Sequence, residues 1–241
     1  SVTIFEEKND ILQAASRVNQ YRLHQGYHYP RSSKTVEQVK KGSKLFIKEY
    51  KGAIYNDCNN LYAVASKDSR VNAIEFLNFL EKHSLKYKII KNNNLLVDNS
   101  CSLLIEAEEA LINYEILKKI VKERLIKNKL IEIKCNRTYT KDLDKEFDFI
   151  VNCTYGLGNH LLPVKLQKEY KFQLLEKIVV RPPESLINKS LVIIDGPFMC
   201  IDPIPDKRLS VLGNVKKAIY ETSYGFEPNK TKIEKNPVPW V

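Results

Sequence analysis

"ASRVNQYRLHQGYHYPRS", residues 15–32, packs arginines, histidines, three tyrosines and one glycine into eighteen positions. It comes soon after a strand pattern, Val2, Ile4 and Phe5, that closes on Glu6 and Glu7. An apolar strand ending in acids and followed by a polar, aromatic-rich loop has the order of a sheet edge that faces a ligand. In a dinucleotide-binding sheet the second strand ends in an acid, because a carboxylate there can accept both ribose hydroxyls of the adenosine half. Glu6 stands in that position.

Working outward, residues 10–20 read as a polar loop with a short helix, and a helix is expected from about Ser33 to Glu49 on Val36, Val39, Phe46 and Ile47. "LYAVA" (61–65) reads as a strand. Ser69 is the expected cap of a helix on Val71, Ile74, Leu77 and Leu80. "YKII" and "SLLIEA" read as strands. The strongest helical pattern runs from Asn113 to Asn128, with Ile116, Leu117, Ile120, Val121 and Leu125 as its buried stripe. "LIEIKC" (130–135) and "FDFIVNCT" (147–154) follow as apolar strands, with Gly156 and Gly158 just beyond, the texture of an α/β layer. Past Lys165 the pattern turns to β segments separated by Pro, Gly and Asn, which predicts an antiparallel sheet forming its own layer.

Composition narrows the classes. The chain has 241 residues, 43% of them hydrophobic, enough to close a core. No apolar run approaches the roughly 20 residues of a membrane helix, and a soluble cytoplasmic protein is expected. The net charge of +10 invites a reading in terms of nucleic acid or acidic lipid, but many lysines sit on the polar faces of predicted helices, so a solvated face is expected and no nucleic-acid partner. Five cysteines, odd in number and without a CxxC pair, point to reduced thiols. His24 and His28 are four apart but lack the HExxH glutamate and enclose Gly26, so no metal site is expected. Cys153, flanked by apolar residues, is expected to be buried.

The segment after the first strand resembles the region that follows the second Rossmann strand in the FAD-dependent D-amino-acid oxidase superfamily, nearest to its 2-hydroxyglutarate oxidase branch. Asn19, His24, Gly26 and Tyr29 fall on matching positions, and Ala15 and Ser16 match the small pair before them. "VNCTYG", with Asp148 upstream, resembles the superfamily's later strand, where Thr154 and Gly156 would approach the cofactor. "IIDGPFMCIDP" is similar to a substrate-domain strand and turn. The resemblance implies an α/β fold (α+β overall): an incomplete Rossmann-type FAD-binding domain drawn from residues 1–60 and 100–165, and an antiparallel substrate domain drawn from 61–99 and 166–224. Residues 225–241 would be a truncated connection. The pyrophosphate loop GxGxxG is absent from the sequence, and "GLGNHL" (156–161) lacks the third glycine and is followed by Pro163. A fragment of a longer flavoprotein is therefore expected.

The resemblance also implies roles. Glu6, Ser16, Asn19, His24, Gly26, Thr154 and Gly156 would contact FAD. Arg22 or Arg31 could grip a substrate carboxylate, the His24 imidazole could serve as the base, and Tyr27 and Tyr29 could wall the flavin. The reaction implied is hydride transfer from a small amine or 2-hydroxy acid to flavin, with the electron acceptor open. Two alternatives stay open: a basic binding module without catalysis, and a family member that no longer binds FAD.

Overall fold

The computed structural model describes residues 1–91 and 94–230. In chain order the first strands and helices are β1 (Val2–Glu6), β2 (Arg22–Leu23), α1 (Ser33–Tyr50), β3 (Ile54–Tyr55), β4 (Asn59–Ala65), α2 (Ala73–Lys82), β5 (Tyr87–Ile89), β6 (Cys101–Ala107) and β7 (Ala110–Ile112). There follow α3 (Tyr114–Lys127), β8 (Ile131–Cys135), β9 (Tyr170–Leu175), β10 (Ile178–Val180), β11 (Lys189–Ile194), β12 (Met199–Pro203), β13 (Ser210–Asn214) and β14 (Ile219–Gly225). The chain divides into two compact units, one of residues 1–13, 125–176 and the chain from 216 on, the other of 14–124 and 177–215.

In the first unit β1 and β8 pair in parallel, with Val2 opposite Ile131 and Glu6 opposite Cys135, and β9 pairs with β14 antiparallel. Phe5 meets the edges of Tyr139 and Phe147, ring centroids 5.3 and 5.8 Å apart, which fastens the 136–147 connection to the strand pair.

The second unit is built on a seven-stranded sheet in the order β10-β13-β12-β11-β4-β6-β5, antiparallel except where β11 runs parallel to β4. β4 is buried along almost its whole length because both faces of the sheet are covered. On one face Tyr62, Val64, Ile105, Val192 and Ile194 pack with Val36 of α1, with Phe76, Phe79 and Leu80 of α2, and with Tyr27. On the other, Leu61, Ala63, Leu104 and Leu191 pack under Leu95, Leu96 and Leu186. A three-stranded ribbon, β2-β7-β3, lies in the same unit.

Several expectations are corrected. Residues 10–20 form turns rather than a helix, held by the Asn19 side chain, whose amide donates to the carbonyls of Ala15 and Ser16. Asn72, not Ser69, caps α2: its Oδ1 accepts from Glu75 N–H, and the Glu75 carboxylate accepts from Asn72 N–H. Ser69 Oγ instead donates to Val71 O and accepts from Asp195 N–H. The stripe on α3 is only half-buried and Ile116 is exposed. "FDFIVNCT" forms no strand among the described residues; its backbone finds no ladder partner, Phe149 and Val151 are 91% and 83% exposed, and Cys153 is exposed. The β segments beyond Lys165 do not make one layer: β9 and β14 pair with each other in the first unit, whereas β10 to β13 complete the sheet that β4, β5 and β6 begin. That pairing also puts residues 59–65 and 101–107 in one sheet, so the compact units are cut at other positions than the sequence boundaries. "EKNPVPWV", part of the expected terminal connection, lies outside the described residues.

Candidate functional site

Arg22, on β2, is the centre of a buried polar cluster in the second unit. Its side chain is 3% exposed. Nε donates to Asp202 Oδ1 at 2.6 Å, Nη1 to Glu109 Oε2 at 3.0 Å and to Tyr62 Oη at 2.8 Å, and Nη2 to Ser190 Oγ. The register of the sheet explains why these partners converge. Ser190 on β11 donates to Asp202 on the neighbouring β12, and Tyr62, two residues along β4 from Asn60, the register partner of Ser190, brings its hydroxyl to the same guanidinium. Burial by itself opposes the charge on Arg22, but Tyr62, Asp202 and Glu109 outweigh it and hold the pKa above its ordinary value.

Glu109 is the hinge between this cluster and the segment 22–29. Its Oε2 takes Arg22 Nη1 and the Tyr62 hydroxyl at 2.7 Å, while Oε1 takes the backbone N–H of Gln25 at 2.7 Å. One carboxylate thus pins the chain on both sides of His24. Burial would raise its pKa, but His24, Arg22 and the Gln25 N–H overcome that and keep it below the usual carboxylate range. His24 Nδ1 sits 3.8 Å from Glu109 Oε1 without a hydrogen bond, and the His24 side chain is 28% exposed. His24, His28 and Tyr29 form an aromatic group, with centroids 5.2 Å apart for the two histidines and 5.6 Å for His24 and Tyr29. The outer edge of His28 meets solvent, yet its ring lies against His24, Tyr29 and Tyr62; loss of hydration there, then the charges of His24 and Arg22, push its pKa down to about 4. Tyr27, expected beside Tyr29 as a wall for the flavin, belongs instead to the core, 1% exposed and stacked on Tyr62, with its hydroxyl donating to Lys86 O.

The other sequence-derived candidates fall elsewhere. Arg31 is half exposed and ion-paired with Asp195. Gly26 has φ +123°, and a Cβ there would come within 2.8 Å of Val36 Cγ1, so the turn after His24, which packs on α1 at this point, requires glycine. Ser16 is exposed, and Asn19 spends its amide on the turn and its Oδ1 on Tyr21 N–H. In the first unit, Glu6 closes β1 with Oε1 accepting from Lys8 N–H at 2.9 Å. Thr154 is exposed and bonded to Asn152, and a Cβ at Gly156 would meet nothing within 4 Å. The structure therefore brings Arg22, His24, Gly26 and Tyr29 together. Glu109, Asp202, Ser190 and Tyr62 escaped sequence reasoning, although an aspartate inside the apolar strand "MCIDP" was a legible signal, since a charge in a strand core needs a partner.

Among the described residues no group of three or more His, Cys, Asp or Glu could hold a metal ion, and no helix is long and apolar enough to cross a membrane.

Glycine oxidase from Geobacillus kaustophilus is structurally similar, with a TM-score of 0.62 and 12% identity over 96% of this chain and 67% of that one. In sequence, the chain is 27% identical over 208 residues to the FAD-dependent monooxygenase FPY4 of Fusarium mangiferae, aligning 84% of its own length. It spans about half the length of that relative, 54%. No protein-family model matches.

Proposed function

We propose that the chain is part of an FAD-dependent oxidoreductase of the D-amino-acid oxidase superfamily, close to the 2-hydroxyglutarate oxidase branch, that oxidises a small amine or 2-hydroxy acid. The observation that carries the reading is the place of Glu6 at the carboxyl end of a parallel strand pair, where open α/β sheets bind their ligands. A fold like that of glycine oxidase and a sequence that aligns with an FAD-dependent monooxygenase support it.

The residues fit part of the cofactor. Glu6 keeps one carboxylate oxygen beyond its bond to Lys8 and would accept ribose hydroxyls. Thr154 and Gly156 present polar, uncrowded backbone, and Ser16, Asn19, His24 and Gly26 lie on the segment assigned to the flavin. No GxGxxG occurs in the sequence, so the donors for the pyrophosphate are not supplied by that motif. Bound flavin would supply the hydride acceptor. The chain's own groups do the rest. His24, held between Arg22 and Gln25 by Glu109, would take the amine or hydroxyl proton on its ring nitrogen. Tyr29 would exclude water beside it. Of the two arginines, Arg31 would meet a substrate carboxylate by exchanging Asp195 for it, whereas Arg22 supports the loop from beneath. The five free cysteines suit a cytoplasmic setting.

The test is the visible spectrum of the protein expressed from its complete reading frame. A flavin spectrum that survives desalting, weakened by Glu6→Ala, supports the reading. A colourless folded protein that FAD does not reconstitute overturns it. His24→Ala should slow reduction of the flavin by substrate more than it weakens FAD retention; equal effects would make His24 structural.

A further inference from the structure

We propose that the groove between α1 and the end of α2 is a docking surface for an acidic, carboxylate-rich segment of a protein partner. The groove has a volume of about 470 Å³, and its walls carry Lys40, Lys41, Lys44, Lys82 and His83 against a single acid, Glu37. On α1, positions 37, 40, 41 and 44 follow the spacing that stacks side chains on one helical face.

The bland explanations cover only part of this cluster. Lys82 in the last turn of α2 complements the helix dipole. Lys40 Nζ donates to His83 O at 2.8 Å and so ties α1 to the end of α2. Lys41 and Lys44 have no such role: they stand in mid-helix, and among the described residues neither they nor Lys82 form an ion pair. Glu37 stands three and four residues before Lys40 and Lys41 and eases their charge within the helix, but Lys44 has lysines at positions 40, 41 and 48 and no acid at that spacing in α1. The His83 ring, bonded through Nε2 to Ser33 Oγ at 3.0 Å, reports the same potential. Burial first, then Lys82 and Lys40, lower its pKa against the opposing pull of Glu37.

The lining also selects the partner. It contains no arginine, whose fork matches phosphate two-pronged, and no Tyr, Phe or Trp on which bases could stack. It carries no apolar side chain to enter a lipid surface. Ammonium point charges spread over this open, shallow face suit carboxylates spread along a chain, and such pairing steers association.

The experiment is fluorescence anisotropy of a fluorescein-labelled polyglutamate peptide titrated with the whole chain, alongside a labelled DNA duplex. The expected result is peptide binding that falls with rising salt. The variant Lys41→Glu/Lys44→Glu/Lys82→Glu should weaken it by about tenfold or more. The variant Lys129→Glu/Lys141→Glu/Lys145→Glu, with the same change in net charge, should leave it unchanged. No binding at low salt, equal loss in both variants, or tighter binding of the duplex would overturn the proposal.

Discussion

At Arg22 the cost of burying a charge is met by two carboxylates, a phenol and a serine hydroxyl, and the arrangement is asymmetric in its consequences. Removing the cation strands Glu109 and Asp202, both essentially buried, so Arg22→Met should lose about 3–5 kcal/mol in urea unfolding. A loss within the range of surface substitutions would show that water reaches the cluster. At Gly26, alanine meets both a positive φ and Val36, and about 1–3 kcal/mol of destabilisation is expected, relieved only in part by adding Val36→Ala, which opens space without changing the backbone. The two titrating groups act in separate pH windows. His28 takes a proton near its ordinary value of about 6.5 when unfolded but only at about 4 when folded, so stability falls as pH drops through that interval. Because its outer edge is in water, the slope should stay below about 1.4 kcal/mol per pH unit, and His28→Gln should flatten it. Glu109, depressed in the fold, contributes above the usual carboxylate range, and that contribution disappears at still lower pH.

At the scale of elements, α1 and α2 owe their starts to side chains rather than to periodicity alone. Ser32 caps α1 by accepting from Thr35 N–H at 3.3 Å, and Asn72 caps α2 in a reciprocal pair with Glu75. Asn72→Ala should cost about 1 kcal/mol by thermal or chemical denaturation. Apolar spacing placed α1, α2 and α3 within a few residues of where they lie, because a helix face repeats locally and declares itself in a short window. Strands were less legible. "LYAVA" and "SLLIEA" are strands as read, but "FDFIVNCT" carries equally good β residues and remains unpaired among the described residues. A strand exists only with a ladder partner, and no local pattern names that partner.

For the whole molecule, the seven-stranded sheet joins segments far apart in the chain, β4 at 59–65 beside β11 at 189–194. Pairing of this kind is paid for late in folding, and refolding is expected on the slow side for a domain of this size. A chain ended before Lys189 loses β11, β12 and β13, exposes the buried β4, and takes Ser190 and Asp202 away from Arg22. Such a chain should show no cooperative transition by circular dichroism and should aggregate on gel filtration; a sharp transition would mean that the remaining strands close a core alone. By itself the sequence determined α1, α2 and α3, the strand that ends in Glu6 and the polar, aromatic-rich character of the loop 15–32, since each rests on residue chemistry and short-range spacing. Only the tertiary structure decided that Arg22 is spent on Glu109 and Asp202, that Glu109 holds His24 in place, and that the late β segments complete an earlier sheet. Those outcomes depend on which distant strands lie side by side: Asp202 in its apolar strand signals that it needs a partner, but nothing near it in the chain says which one.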